Sequence, residues 1–421
     1  MPDPRERVLR EIDGLREEVV AFTSELVRIP TVNPPGQNYE DCARFIGRRL
    51  SACGFEVEYH AALDRPEHTR AHPRLNVVGA RPGSGPGPVL HLNGHFDVVP
   101  AGAGWTMDPF GGEVGDGRIW GRGACDMKAG LAAAVYAAEA LRRAGVAPRG
   151  TLEVSGTVDE ESGGFAGVAW LAEKGRIAKE RTDYVIIPEP LGVDRVCLGH
   201  RGVYWFEVTT RGRSAHGSMP FLGQSAIEHM AAVLEAVRTD LKPALARRVT
   251  QMPVVPKDAA RATINVNGID GGQGVDGIQT PCVADRCRAI FDRRLLLEED
   301  FETARAEVVS LLDGVAARRP GLRYELRDLM VVHPTMAPEG SALVASLRRN
   351  VSAVLGREAA LVASPGTYDQ KHFARIAGIE HCVAYGPGVL ELAHQPDEWC
   401  AVDDLVNATR VLALTLLDLT T

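Results

Sequence analysis

The chain has no C-x-x-C pair, no long apolar run and no basic cluster, and each absence removes a class of function. Its eight cysteines (42, 53, 125, 197, 282, 287, 382 and 400) are scattered over 421 residues. That spacing argues against a disulfide scaffold and for free thiols. A net charge of −8 leaves no electrostatic footprint for nucleic acid. No apolar segment is long enough to span a bilayer. The opening MPDPRERVLREIDGLREE is charged and amphipathic, without the apolar core of a signal peptide. A cytoplasmic protein with neither membrane nor nucleic acid as partner is expected. Internal repeats are absent, and low complexity is confined to RPGSGPGP at 81–88. What is present, 45% hydrophobic and 24% charged residues, suits a globular chain of two or three domains.

Periodicity predicts amphipathic helices from Glu11 to Arg28 and from Tyr39 to Ala52, separated by the turn-rich IPTVNPPGQN. Strand-like runs follow at Phe55 to His60, Asn76 to Ala80, Val89 to Asn93, Leu152 to Thr157 and Tyr184 to Ile187. Helices at Lys128 to Ala144 and Ala166 to Lys174 alternate with them. Such alternation implies an α/β layer architecture, a largely parallel sheet with helices on both faces. Near His200 the texture changes. VYWFEVTTRG, ATINVNGIDG and CVADRCRAIFDRRL alternate like half-exposed antiparallel strands. With helices at Ser225 to Arg238 and Glu299 to Ala317 and a closing strand near Tyr324, the order is β-α-β-β-α-β, that of a ferredoxin-like α+β domain. A helix at Ser341 to Leu355, a strand at Cys382 to Tyr385 and a helix at Val402 to Leu417 return to the first domain. The expected division is 1–198 and 330–421 for the first domain, with 199–329 inserted.

In open α/β sheets, sites form beyond the carboxyl ends of the strands. His95 and Asp97 of GHFDVVP lie there, as do Glu160 and Glu161 after TLEVSGTV and Glu189 in IIPEP. Asp126 opens the alanine-rich helix, and His394 follows VAYGPG. Taken singly, each has a bland explanation: a solvated acidic pair, an N-cap, a surface turn, a loop histidine. Their common address points instead to a metal site. His95, Glu161, Glu189 and His394 with a bridging Asp126 suffice for two divalent ions, zinc first, with cobalt or manganese as alternatives and a single manganese left open. Such a pair polarises a carbonyl and lowers the pKa of bridging water towards ~7. Adjacent residues in extended backbone point apart, so Glu161 is assigned to the metal and Glu160 to the water as general base. Asp97 is expected to accept a hydrogen bond from the non-ligating nitrogen of His95.

The segments IPTVNPPG, GHFDVVP, WGRGACDMKAG, DEES, PEP, GRSAHGSMP, DRR, GTYDQKH and AHQPDEW, in this order, resemble the family of acetylornithine deacetylase, succinyl-diaminopimelate desuccinylase, aminoacylase and carboxypeptidase G. The resemblance implies a two-metal catalytic domain with an inserted lid that also makes a homodimer. It maps the ligands onto His95, Asp126, Glu161, Glu189 and His394 and the base onto Glu160, and it implies a cis Asp126–Met127 peptide. It further implies that His216 steadies the oxyanion and that Arg294 binds a substrate carboxylate. Many relatives carry an asparagine where this chain has Asp276 or Gly277, and Tyr368 is a second candidate for a substrate-facing difference.

The expected activity is hydrolysis of an amide C–N bond in a small carboxylate-bearing N-acyl amino acid. Hydrolytic deamination of an amino-aromatic acid and dipeptidase action are alternatives on the same metal chemistry. A binding protein with a merely structural metal is the reading from another class, and an intact Glu160 weighs against it.

Overall fold

Side chains alternate across a strand, so the neighbours of Val89–His95 show how the central sheet is covered. Gly94 faces one way: a Cβ there would lie 3.0 Å from Leu131 of the helix Ala129–Arg143. His91 faces the other way, its ring 5.8 Å from that of Phe373 in the helix Gln370–Arg375. Helices therefore cover both faces. In this computed structural model, residues 3–273 and 280–421 are described; Asp276 and Gly277 lie outside them. The chain forms two units, one of Met1–Gly199, Ala337–Val362 and Tyr368–Thr421, the other of His200–Met336 and Ala363–Thr367.

In the larger unit the strands run in the order Glu56–Ala61, Leu75–Pro82, Thr151–Thr157, Val89–His95, Tyr184–Ile187, Cys382–Ala384 and Arg195–His200. The four from Thr151 to Cys382 in that order are mutually parallel, and the flanking strands are antiparallel. The central strands are buried along most of their length, polar residues such as His91, Asn93, Glu153 and Ser155 included. The helix Ala129–Arg143 is buried from Ala129 through Leu141, which explains its alanines. Small side chains let it approach closely. At Gly130 a Cβ would lie 1.9 Å from the Pro188 carbonyl oxygen, so no other residue fits.

The expected helix from Glu11 to Arg28 is two, Pro4–Gly14 and Arg16–Val27. Gly14 and Leu15 mark the break, as the low helix propensity of glycine would have it. Arg195–His200 and Gln370–Arg375 were not foreseen; both are too short to show a period.

The smaller unit is an antiparallel sheet in the order Thr263–Gly272, Arg286–Leu295, Gly202–Arg211, Arg323–Val332, the ferredoxin-like arrangement. Every second residue of Arg286–Leu295 is buried, under the helices Ala226–Ala236 and Phe301–Arg318. The rings of Phe206 and Phe291 stack at 4.9 Å within that core. Ser225 and Asp300 begin the two helices as N-caps, accepting from Glu228 N and Thr303 N.

Candidate metal centre

Three adjacent parallel strands end on one rim, and each delivers acidic or histidine side chains there. His95 is the last residue of Val89–His95. Glu160 and Glu161 follow Thr151–Thr157, and Glu189 follows Tyr184–Ile187. Asp126 sits in the tight turn Ala124–Lys128, with non-helical φ/ψ of −114° and 100°, so it is not the N-cap of the next helix. The Asp126–Met127 peptide is cis. His394 adopts a left-handed φ of 63°, as does Asp159 just before the glutamate pair. Left-handed backbone at residues other than glycine costs ~1–3 kcal/mol and is tolerated where surroundings over-determine it.

The metal-capable groups form two overlapping triads. His95, Asp126 and Glu189 offer ligand atoms within 4.8 Å of one another, and so do Asp126, Glu161 and His394. His95 Nε2 lies 3.2 Å from Asp126 Oδ1 and 4.0 Å from Glu189 Oε1. His394 Nε2 lies 3.1 Å from Glu161 Oε2 and 3.5 Å from Asp126 Oδ2. Asp126 thus offers one oxygen to each side. A donor set of imidazole and carboxylate suits borderline divalent ions. Cysteine stays out: the Cys125 thiol turns to the Val389 carbonyl at 3.3 Å.

Charge crowding fits the same reading. Burial, reinforced by the charge of Asp126, pushes Glu161 up to about 7 and raises Glu189 well above the usual carboxylate range. Burial works against the Asp126 anion too, yet hydrogen bonds from His394 and His95 hold its pKa well below normal. His394 is raised to about 10 by its hydrogen bonds to Asp126 and Glu161. Burial disfavours a charged His95, but hydrogen bonds to Asp126 and Asp97 carry it well above its ordinary value. In this cluster the histidines stand in for missing positive charge, the role a divalent cation fills.

The supporting groups were only partly foreseen. His95 Nδ1 is 3.0 Å from the backbone carbonyl of Asp97 and 3.5 Å from its carboxylate. The carboxylate, fully buried, also accepts from the Glu160 and Glu161 backbone N–H groups, 3.1 Å each, and from Asn33 Nδ2 at 3.0 Å. Asp97 therefore pins the glutamate turn as well as flanking the histidine. That turn is a 3₁₀ turn, Glu160–Ser162, rather than the extended backbone expected. Successive side chains still diverge there, by about a third of a turn. Glu398 was missed. Its buried carboxylate accepts from the N–H groups of Gly123, Cys125 and Asp126 at 2.9–3.0 Å and pairs with Arg122, clamping the loop that carries Asp126. Lys371 was missed as well, its Nζ 2.8 Å from Glu160 Oε1. Both lie inside the segments AHQPDEW and GTYDQKH, but a lone glutamate or lysine carries no spacing signal.

Tyr368 is 4% exposed, and its hydroxyl donates to Gln370 Oε1 at 2.6 Å. His216 and Arg294 belong to the smaller unit. His216 is exposed, with Nδ1 2.7 Å from the Ser218 hydroxyl. Arg294 pairs with Asp292 on its own strand, Nε to Oδ1 at 2.9 Å.

Comparison with known proteins agrees. A succinyl-diaminopimelate desuccinylase from Xanthomonas euvesicatoria pv. vesicatoria is 32% identical over 412 residues, covering 95% of this chain and 98% of that one. A metallo-carboxypeptidase of the M20 family from Sulfolobus solfataricus superposes with a TM-score of 0.76 at 20% identity, covering 95% of this chain and 98% of its own. A Bacillus subtilis protein described as a dinuclear metal binding peptidase superposes with a TM-score of 0.69 at 17% identity, over 97% and 100% of the two chains. At those identities the two structures speak for the fold alone. The model of peptidase family M20/M25/M40 matches residues 91–418, and the chain belongs to that family.

Proposed function

We propose that the chain is a metal-dependent hydrolase that cleaves the amide C–N bond of a small carboxylate-bearing N-acyl amino acid. One observation carries the reading: Asp126 is shared by two histidine–carboxylate triads, and a further carboxylate, Glu160, stands beside them without belonging to either. A structural metal has no use for such a group. His95 and Glu189 would hold one divalent ion, Glu161 and His394 the other, with Asp126 between them. Zinc is the first candidate, then cobalt or manganese. When bound, the ions supply Lewis acidity to the acyl oxygen and make a water acidic enough to attack near neutral pH.

The chain's own residues do the rest. Glu160 takes the proton of the attacking water and returns it to the departing amine, work that contributes ~10²–10⁴ in rate. Asp97 fixes the turn that aims Glu160 and keeps the His95 ring in place. His216 donates to the developing oxyanion, and Arg294 receives a substrate carboxylate as a planar fork. Residues 199–329 act as lid and dimerisation segment of a cytoplasmic homodimer. The desuccinylase relatives make N-succinyl amino acids the first substrates to try.

A metal-replete screen of N-succinyl, N-acetyl and N-aroyl amino acids, dipeptides and amino-aromatic acids, read as amine or ammonia release, tests this. Release of amine from an N-acyl amino acid, lost on chelation and restored by metal, is the expected result. Turnover of dipeptides or amino-aromatic acids alone would overturn the substrate class.

A further inference from the structure

Lys371 is nearly enclosed, its side chain 5% exposed, and among the described residues its Nζ makes one hydrogen bond, 2.8 Å to Glu160 Oε1. The Glu160 side chain is 11% exposed, and its other oxygen, Oε2, makes no hydrogen bond among the described residues. Taking an ammonium and a carboxylate out of water costs several kcal/mol per ion, and their attraction rarely yields net stability. A pair of this kind placed for stability alone would be a poor use of the interior. Its surroundings are correspondingly rigid. The preceding residue, Gln370, donates from Nε2 to the carbonyls of Leu198 at 2.9 Å and Cys382 at 2.6 Å. The following residue, His372, places Nε2 2.6 Å from the carbonyl of Gly163, in the turn that carries Glu160. The lysine stem therefore rises from backbone tied on one side to the sheet and on the other to the glutamate turn.

Around the pair lie other acids. The charge of Glu160 acts on both Glu189 and Asp369. Asp369 is 1% exposed; its Oδ2 accepts from Asn93 Nδ2 at 3.3 Å, and its Oδ1 has no hydrogen-bond partner among the described residues. A free carboxylate in such company turns about its last bond and swings from its repellent neighbours. A single fixed ammonium on one oxygen removes that freedom.

We propose that Lys371 is a positioning residue for Glu160: its ammonium pins Oε1, so that Oε2 alone handles the proton, and holds the carboxylate in place beside Glu189 and Asp369. The assignment rests on Glu160 being the general base. Lys371 acts through Glu160 and touches neither metal nor substrate.

The test uses the full-length, metal-reconstituted enzyme with Lys371→Met, Lys371→Ala, Lys371→Arg, Glu160→Gln and the double variant Lys371→Met/Glu160→Gln, with metal content measured on each. Lys371→Met should keep its metal and KM while kcat falls on the order of 10²-fold, the cost of misplacing a reacting group by about an ångström. Lys371→Arg should recover part of the loss. Ethylammonium should raise kcat of Lys371→Ala saturably and leave the wild type unchanged, which a merely structural lysine would not produce. Thermal melting of the chelated proteins reads the pair without catalysis: Lys371→Met lowers Tm, and adding Glu160→Gln restores it. Wild-type kcat in Lys371→Met, metal loss in step with activity, or failure of ethylammonium to rescue would each overturn the assignment of Lys371. Undiminished turnover in Glu160→Gln would overturn the role of Glu160 as well, so the two failures are told apart.

Discussion

At the rim of the larger unit, half-buried Asp126 and Glu161 lie together with buried Glu189, and the charge that would balance them is supplied incompletely by two histidines. In the smaller unit acids meet bases. Arg211 pairs with Glu325, Arg288 with Asp270 and Arg305 with Asp328 on its surface. Even its fully buried Arg293 donates to the Ala304 carbonyl, Glu299 and Glu307. These pairs each balance a charge within the smaller unit, whereas the acids of the rim outnumber the histidines beside them. Stability alone explains the first arrangement, whereas the second makes sense only if something from solution completes it.

The contrast can be broken at its centre. Glu160→Ala should retain bound metal and lose turnover by ~10²–10⁴, because it is the acid that no metal needs. Metal analysis beside kinetics checks this; loss of metal instead would make Glu160 a ligand. Next, Arg293→Met should destabilise the fold by about 3 kcal/mol, the lower end for breaking a buried pair, since Arg248 still holds Glu299 and Glu307. Urea unfolding with unchanged turnover per folded molecule is the expected pattern. Glu398→Gln should weaken metal affinity ~10–100-fold with little change in the melting point of the metal-free protein, as for other groups that orient a ligand. Competition with a chromophoric chelator reads it.

A subtler effect belongs to buried His91 and Glu153 with half-buried Arg176. Burial disfavours the Glu153 anion, but the hydrogen bond from His91 and the charge of Arg176 bring its pKa down to about 2. Its folded value lies below the unfolded one, ~4.5. The stabilisation is therefore complete above about 4.5 and is lost as pH falls through about 2. Glu153→Gln should flatten the acid limb of stability in that window, as chemical denaturation at several pH values would show. Smallest of all, Arg211→Ala should leave the thermal midpoint unchanged within error, since its partner Glu325 is exposed. A measurable drop would mean that the surface pairs of the smaller unit act as a network.

Much of this was legible in the residues. Strand ends carrying His95, Glu160, Glu161 and Glu189 can be read because apolar runs stop abruptly where polar residues begin, and the rule for α/β sheets assigns those stops to one rim. The alternation of Arg286–Leu295 and the caps Ser225 and Asp300 are local signals as well. Contacts across long stretches of chain were not legible. Lys371 meets Glu160 across 211 residues, and Glu398 meets Gly123 across 275. Nothing in either neighbourhood announces the partner. The burial of Tyr368 was not legible either, because direction at an irregular turn is set by tertiary packing.

The clamp of Glu398 on the loop of Asp126 also fixes an order of events. On the ribosome, His95, Asp126, Glu161 and Glu189 emerge while the loop that carries the shared ligand has no anchor. Only with residues 394–398 do His394 and the anchoring Glu398 arrive, four residues apart. Until then three N–H groups of the Asp126 loop lack their carboxylate acceptor, and the loop is clamped only once segments 275 residues apart in the chain have met.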